Sequence, residues 1–199
     1  MTIEKHTLAI LAGGKNSRFK GMNKAFLKIN GDTIINRTIQ LLSDLFNEII
    51  IITNQPQDFD KFHQFNIFGD IYKDQGPLGG IHSALTNSLF PSVFVVSCDM
   101  PFLNHEFIKK MVNLSCNINS DAIVPLLNSQ PEPTHSIYHK RIIPVIEKHL
   151  IASVNPSIRQ IYNDIDIQFI KLDNNNDNKL IFTNVNSPDI YKLIYINTK

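Results

Sequence analysis

Short, unbroken apolar runs separated by longer segments of helical spacing set the pattern of this chain. Residues 7–11, 48–53 (EIIIIT), 93–97 and 122–126 are rich in β-branched and apolar side chains with no alternation, as expected for strands covered on both faces. Between them apolar residues recur three and four apart. Asp32 is placed as the N-cap of a helix running to residue 45, with Ile34, Ile35, Thr38, Leu41, Leu42 and Leu45 as its inner stripe. A weaker helix is predicted over 57–64, ahead of a short strand at 67–69. Pro77 opens a helix to residue 89, and Asn104 caps another through 114.

Past Asn128 the pattern mixes. SIYH (136–139) reads as a strand, 142–152 and 157–163 as helical, and 166–171 as an alternating strand. DNNNDN (173–178) reads as a solvated turn or loop, and LIFTNVN (180–186) as a final strand. Ser187-Pro188-Asp189 then supplies an N-cap with proline at the first helical position of a last helix. Strands alternating with helices in this way predict βαβ units and an α/β fold with a largely parallel sheet. No repeat or linker divides the 199 residues, so residues 1–199 are expected to form one domain.

Composition narrows the function classes. With 43% hydrophobic and 19% charged residues the chain is ordinary for a soluble protein, and no apolar run approaches the roughly 18 to 20 residues of a membrane span. The start, MTIEKHTLAILAGG, lacks the shape of a secretory signal, so a cytoplasmic protein is expected. Cys98 and Cys116 are too few and too far apart for a disulfide scaffold or a zinc cluster, and both are read as reduced thiols. A net charge of +1 leaves no electrostatic footprint for a nucleic acid. Any handling of anions must therefore be local.

The local candidate is LAGGKNSRFKGMNK, residues 11–24. Neither G-x-x-x-x-G-K-[ST] nor G-x-G-x-x-G is present. What remains is a strand ending in Gly13-Gly14, followed by Ser17, Arg18, Gly21 and Lys24. Adjacent glycines let backbone N–H groups approach an anion, and Arg18 and Lys24 could add charge toward a polyphosphate; the competing reading is a solvated basic turn. Asp99, in VFVVSCDMP, sits at the carboxyl end of a buried strand, where it could hold Mg²⁺ against phosphate oxygens or simply start a turn before Pro101. Asp70, also at a strand end, has the same two readings. In GPLGG (76–80) two glycines inside a first helical turn suggest close approach by a ligand or by another backbone. Asn184 and Asn186 flank Val185 at period two, so both amides would leave one strand face, as ligand contacts or as part of a strand-end turn. His135 and His139 are four apart, but the surrounding pattern is not helical, so they are not read as a metal pair. Neither cysteine has an obvious partner for nucleophilic catalysis.

In this order the pieces carry a resemblance. LAGGKNSRFKGMNKAFLKINGDTII, the I-x-x-D strand ending in Asp70, GPLGG, SCDMP, PEPT and TNVNSPDI resemble, nearly from end to end, the L-A-G-G-x-x-x-R-M-G-x-x-K, G-P-L-A-G, C-D-x-P, H-P-T and N-V-N-T-P-E segments of the molybdenum cofactor guanylyltransferases. The resemblance implies a Rossmann-like nucleotidyltransferase fold, with a mostly parallel central sheet and helices on both faces. It implies an enzyme that transfers GMP from GTP to the terminal phosphate of molybdopterin with Mg²⁺, releasing pyrophosphate. Leu11, Ala12, Gly13, Gly14, Asn54, Asp70 and Gly79 would lie against the nucleotide, Arg18 and Lys24 would face its phosphates, and Asp99 would face the Mg²⁺. Pro133, Thr134, Asn184 and Asn186, with Arg159, would face the pterin. Molybdenum-insertion proteins or molybdoenzymes would be the protein partners. LAGG, where related cytidylyltransferases have LAAG, favours a guanine nucleotide. Phe19, Lys20, Asn23 and Glu132 depart from the family pattern. The rival readings are a nucleotidyltransferase using CTP or another acceptor, such as a sugar or polyol phosphate, and a non-catalytic GTP-binding protein.

Overall fold

The computed structural model of the chain describes residues 5–13 and 22–197. In chain order the strands are β1 (His6–Leu11), β2 (Lys28–Ile29), β3 (Asp32–Thr33), β4 (Glu48–Ile52), β5 (Asn66–Phe68), β6 (Ser92–Ser97), β7 (Ala122–Leu127), β8 (Gln130–Pro131), β9 (His135–His139) and β10 (Ile167–Leu172). The helices are α1 (Ile34–Leu42), α2 (Gly76–Asn87), α3 (His105–Ser115), α4 (Ile143–Ala152), α5 (Asn176–Ile181) and α6 (Pro188–Asn197). Lys24–Phe26, Pro56–Phe62, Lys140–Ile142 and Ile158–Asn163 form 3₁₀ turns, two of them where α-helical spacing was expected.

The main sheet runs β10-β7-β9-β6-β1-β4-β5, with β8 paired to β7. Every pairing is parallel except those made by β9 and β8. The continuous apolar runs arise because successive residues enter opposite layers, both of them covered by helices. Leu8, Ile10, Ile51, Phe94, Val96 and Ile137 point into one core with Ile35 and Leu42 of α1 and Ile108 and Met111 of α3. Ala9, Leu11, Ile50, Ile52, Val93 and Val95 point into the other, with α2 and α4. Among the described residues no helix is long and apolar enough to cross a membrane.

Several boundaries differ from the sequence expectation. Thr33, not Asp32, caps α1 by accepting from Asn36 N at 3.3 Å, while Asp32 accepts from the Asn36 side chain at 2.9 Å. The helix ends at Leu42, and Leu41 is 37% exposed rather than part of the inner stripe. Asp32 lies one residue too early because the hairpin fixes where the helix can begin: Ile29 pairs with Asp32 and Lys28 with Thr33 across Asn30 and Gly31, whose φ values of 52° and 85° mark a two-residue turn of type I′, and α1 starts only at Ile34. A second hairpin turns at Asn128 and Ser129, φ 52° and 60°, between β7 and β8.

The larger difference lies in residues 173–186. Asn175 accepts from Asn178 N at 2.8 Å and starts α5, so the second half of DNNNDN and the first residues of LIFTNVN are helical, and the expected final strand is not formed. The asparagine-rich composition concealed an N-cap, since the side chain that favours a turn also satisfies the first orphan amide of a helix. Val185 does enter a core, packing with Leu27, Ile29 and Ile34, but it gets there from an irregular segment.

One core residue has an unusual environment. His135 is fully buried, edge-on to Phe94 and Phe182 and stacked on Phe107, and neither ring nitrogen has a hydrogen-bond partner among the described residues. Burial drives its pKa from 6.5 down to about 3. The unfolded chain binds a proton at this site below pH about 6.5 while the folded chain does not, so stability falls as pH drops from there toward 3, by up to about 1.4 kcal/mol per pH unit. His135→Leu is expected to flatten this acid limb and to stabilise the fold most at low pH. Urea melts at pH 5 and pH 7.5 check it: an equal loss between the two pH values in parent and variant would show that His135 does not drive the limb.

Candidate functional site

Bonds beyond the regular ladders bring the carboxyl ends of the central strands side by side. Ala12 N donates to Ile52 O at 2.8 Å, Thr53 N to Phe68 O at 2.8 Å, Cys98 N to Leu11 O at 3.0 Å and Ser97 N to Thr134 O at 3.0 Å. Because β9 is reversed, its amino end, with Thr134, joins this edge. A cleft of about 630 Å³ opens here, where open α/β sheets place their ligands. Leu11, Ala12, Gly13, Asn54, Asp70 and Thr134 line it.

On one wall Asn54 and Asp70 hold each other. The Asn54 side-chain amide donates to Asp70 Oδ2 at 2.8 Å, and Asp70 N donates back to Asn54 Oδ1 at 2.9 Å. Burial lifts the Asp70 carboxyl above the usual aspartate range, against the lowering effect of the Asn54 bond. Nearby, α2 begins with close contacts. Gly76 has φ +58° and faces the Asn155 amide so closely that a side chain would collide with it. A Cβ on Gly79 would lie 2.8 Å from the Tyr72 carbonyl oxygen, so at this glycine it is another backbone that approaches, and Gly79 is not among the residues lining the cleft. Gly80 does line it, packed under Leu11.

Beside the cleft is a charged cluster. Ser97, a lining residue, donates its hydroxyl to Asp99 Oδ1 at 2.6 Å. Lys24 Nζ donates to Asp99 Oδ2 at 2.9 Å and to Asn186 Oδ1 at 3.1 Å. Both charged side chains are sheltered, Lys24 to 20% exposure and Asp99 to 13%. Asn23 sets the start of the Lys24 turn: its side chain accepts from Ala25 N at 3.0 Å and donates to Ala12 O at 3.2 Å. A carboxylate there could make the first bond but not the second, so this departure from the family pattern ties Lys24 to the end of β1.

The other expected residues fall as follows. The Pro133 carbonyl accepts from Tyr138 Oη at 2.9 Å. Arg159 is exposed on the turn 158–163, outside the residues lining the cleft, and its charge opposes the burial that raises the Glu132 carboxyl. Asn184 turns inward, its amide 3.4 Å from Phe182 O, while Asn186 reaches Lys24; the common strand face expected for the pair does not exist because residues 183–186 are not a strand. Gly14 and Arg18 lie outside the described residues. Burial, then the charge of Asp99, pushes the Cys98 thiol up to about 12, so it stays protonated at neutral pH.

Ser97, Gln55, Asp74 and Asn155 also line the cleft and were not anticipated. Ser97 stands two positions before Asp99 at the end of the same apolar strand, and Asn155 precedes a proline, a turn signal that marks the bend at 153–155. Asn155 has φ +54°, and its N–H bonds Gln75 at 2.6 Å, which brings this bend to the start of α2.

Residues 8–167 match the model of the MobA-like NTP transferase domain. The chain is 43% identical over 160 residues to a protein of Clostridium perfringens named "Probable molybdenum cofactor guanylyltransferase", covering 79% of this chain and 78% of that one. A relative of the same name from Carboxydothermus hydrogenoformans is 34% identical over 194 residues, 96% of this chain and 95% of its own length. The crystal structure of molybdopterin-guanine dinucleotide biosynthesis protein A from Archaeoglobus fulgidus shares the fold, with a TM-score of 0.80 at 22% identity over 96% of this chain and 97% of that one. With an α/β sheet of this order and these relatives along its length, the chain belongs to the molybdenum cofactor guanylyltransferases of the MobA-like NTP transferase family.

Proposed function

We propose that the chain transfers the GMP moiety of GTP to the terminal phosphate of molybdopterin, free or molybdenum-loaded, and releases pyrophosphate. The observation that carries this reading is the Lys24–Asp99 pair set beside a cleft that carries the Asn54–Asp70 pair. In this reading Asn54 and Asp70 hold the nucleoside, and the backbone at Ala12 and Gly13 admits phosphate oxygens closely. Lys24 opposes the phosphate charge.

A Mg²⁺ ion fits the donors on hand. Among the described residues no group of three or more His, Cys, Asp or Glu side chains gathers as a metal cage. A single sheltered carboxylate such as Asp99 suits a hard cation whose other ligands are water and substrate phosphate. When bound, Mg²⁺ would supply charge neutralisation on the leaving pyrophosphate.

The step is an in-line displacement: an acceptor phosphate oxygen bonds the α-phosphorus, the bridging α–β P–O bond breaks, and its electron pair leaves on pyrophosphate. The acceptor is already anionic at neutral pH, so positioning and charge neutralisation are required rather than a strong base. Such an enzyme would work in the cytoplasm and pass its product to molybdoenzymes or to the proteins that load them.

The test is to incubate the purified chain with each of the four nucleoside triphosphates, Mg²⁺ and molybdopterin, and to identify the product by mass. The expected product is the guanine dinucleotide of the pterin. A preference for CTP would overturn the base, and nucleotide transfer only to a sugar or polyol phosphate would overturn the acceptor.

A further inference from the structure

The segment that delivers Asn186 lies beyond residue 167, where the family match ends, yet it is fastened on both sides of the Lys24–Asp99 pair. Val185 N donates to Asp99 O at 2.8 Å, which ties the segment to the turn carrying the carboxylate. The Val185 side chain is fully buried against Leu27, Ile29 and Ile34, and Tyr191 donates its hydroxyl to Lys28 O at 2.8 Å. Those contacts tie the segment to the residues that directly follow Lys24. Asn186 is held between these anchors, with its side-chain oxygen 3.1 Å from Lys24 Nζ.

The chemistry of that contact is specific. An ammonium has three N–H donors in a tetrahedral fork. One points to Asp99 and a second to Asn186, which fixes the direction of the third and leaves it available to a phosphate oxygen. The amide acceptor is neutral, so it orients Lys24 without cancelling the positive charge that a triphosphate requires. A carboxylate in its place would set a second negative charge against an ammonium already paired with Asp99.

We propose that Asn186 is a positioning residue for Lys24, so that the C-terminal segment belongs to the nucleotide-binding end of the site rather than only to the acceptor end. This rests on the reading that Lys24 meets the phosphates of GTP. The two roles separate in an experiment without acceptor. The affinity of the full chain for GTP with Mg²⁺ is measured by calorimetry for the parent, Asn186→Ala, Lys24→Ala and the double variant.

Asn186→Ala is expected to weaken GTP binding about five- to ten-fold, the scale of one ordinary, solvent-exposed hydrogen bond. In the Lys24→Ala background the same change is expected to have no further effect, because the side-chain partner that Asn186 has among the described residues is gone. Asn186 is exposed and Val185 carries the packing, so the melting temperature is expected to hold; Asn186→Ser is a second variant with the same expectation. Unchanged GTP affinity in Asn186→Ala, or equal losses in both backgrounds, overturns the positioning role. A parent chain that binds no GTP overturns the functional reading instead.

Discussion

Asp99→Ala is expected to lower GMP transfer about 1000-fold, the scale seen when one preorganised charge-stabilising group is removed from an active site. The carboxylate is pinned from both sides, by the Ser97 hydroxyl at 2.6 Å and the Lys24 ammonium at 2.9 Å, so its oxygens hold fixed directions before any substrate arrives. The loss should fall on kcat rather than on the KM for GTP. Removing Asp99 frees Lys24 from its ion pair, and a released ammonium can still meet phosphate. Asp99→Asn separates charge from shape: the amide oxygen can keep the Ser97 bond, but the hard anionic donor proposed for Mg²⁺ is gone. Its activity is therefore expected to be nearly as low as that of Asp99→Ala. Initial rates of pyrophosphate release against Mg²⁺ concentration check both variants. Turnover within ten-fold of the parent in either one would remove the Asp99 charge from the reaction.

The parallel half of the fold is plain in the sequence because two-sided burial has a direct signature. EIIII and SVFVVS offer no polar face, and the structure places alternate residues of each in opposite cores. Strand direction has no such signature. SIYH reads as a strand, but its reversal depends on the Asn128-Ser129 turn and on pairing with both β7 and the distant β6. Asn30-Gly31 is a strong hairpin signal, and it was masked by the apparently good cap at Asp32. At the other end of the chain, α5 is only six residues long, and its stop after Ile181 left LIFTNVN with a convincing but false alternation. Short helices held by tertiary contacts carry too few periods to be recognised.

The candidate site divides along the same line. Asp70 and Asp99 are legible because each lies just past the end of a strand, and such ends converge in any open parallel sheet, whereas Asn54 enters only through the family resemblance. Asn155 reaches the cleft through a loop bend fastened to Gln75, which leaves little mark on residue spacing, and Ser97 is the last residue of β6 itself, inside a run that reads only as a buried strand. The Lys24–Asn186 contact spans 162 positions and depends on where Val185 is buried, so no local pattern could reveal it.

Lys24→Ala is expected to cost about as much as the loss of Asp99, roughly 100- to 1000-fold in kcat/KM for GTP, because it removes the charge facing the phosphates and strands a carboxylate at once. Asp99, a sheltered carboxylate in the parent, would then keep the Ser97 hydroxyl alone among its described side-chain partners, so a lower melting temperature should accompany the kinetic loss. Lys24→Arg distinguishes charge from geometry. The guanidinium keeps the positive charge, but its planar fork cannot reproduce the tetrahedral directions toward Asp99 Oδ2, Asn186 Oδ1 and a phosphate oxygen together. Arginine is therefore expected to restore stability and part of the GTP affinity while kcat stays low. Steady-state kinetics with GTP varied at saturating acceptor read the split. If Lys24→Ala reached the parent rate at saturating GTP, Lys24 would serve ground-state binding alone, since a group that stabilises the transition state selectively cannot be replaced by more substrate.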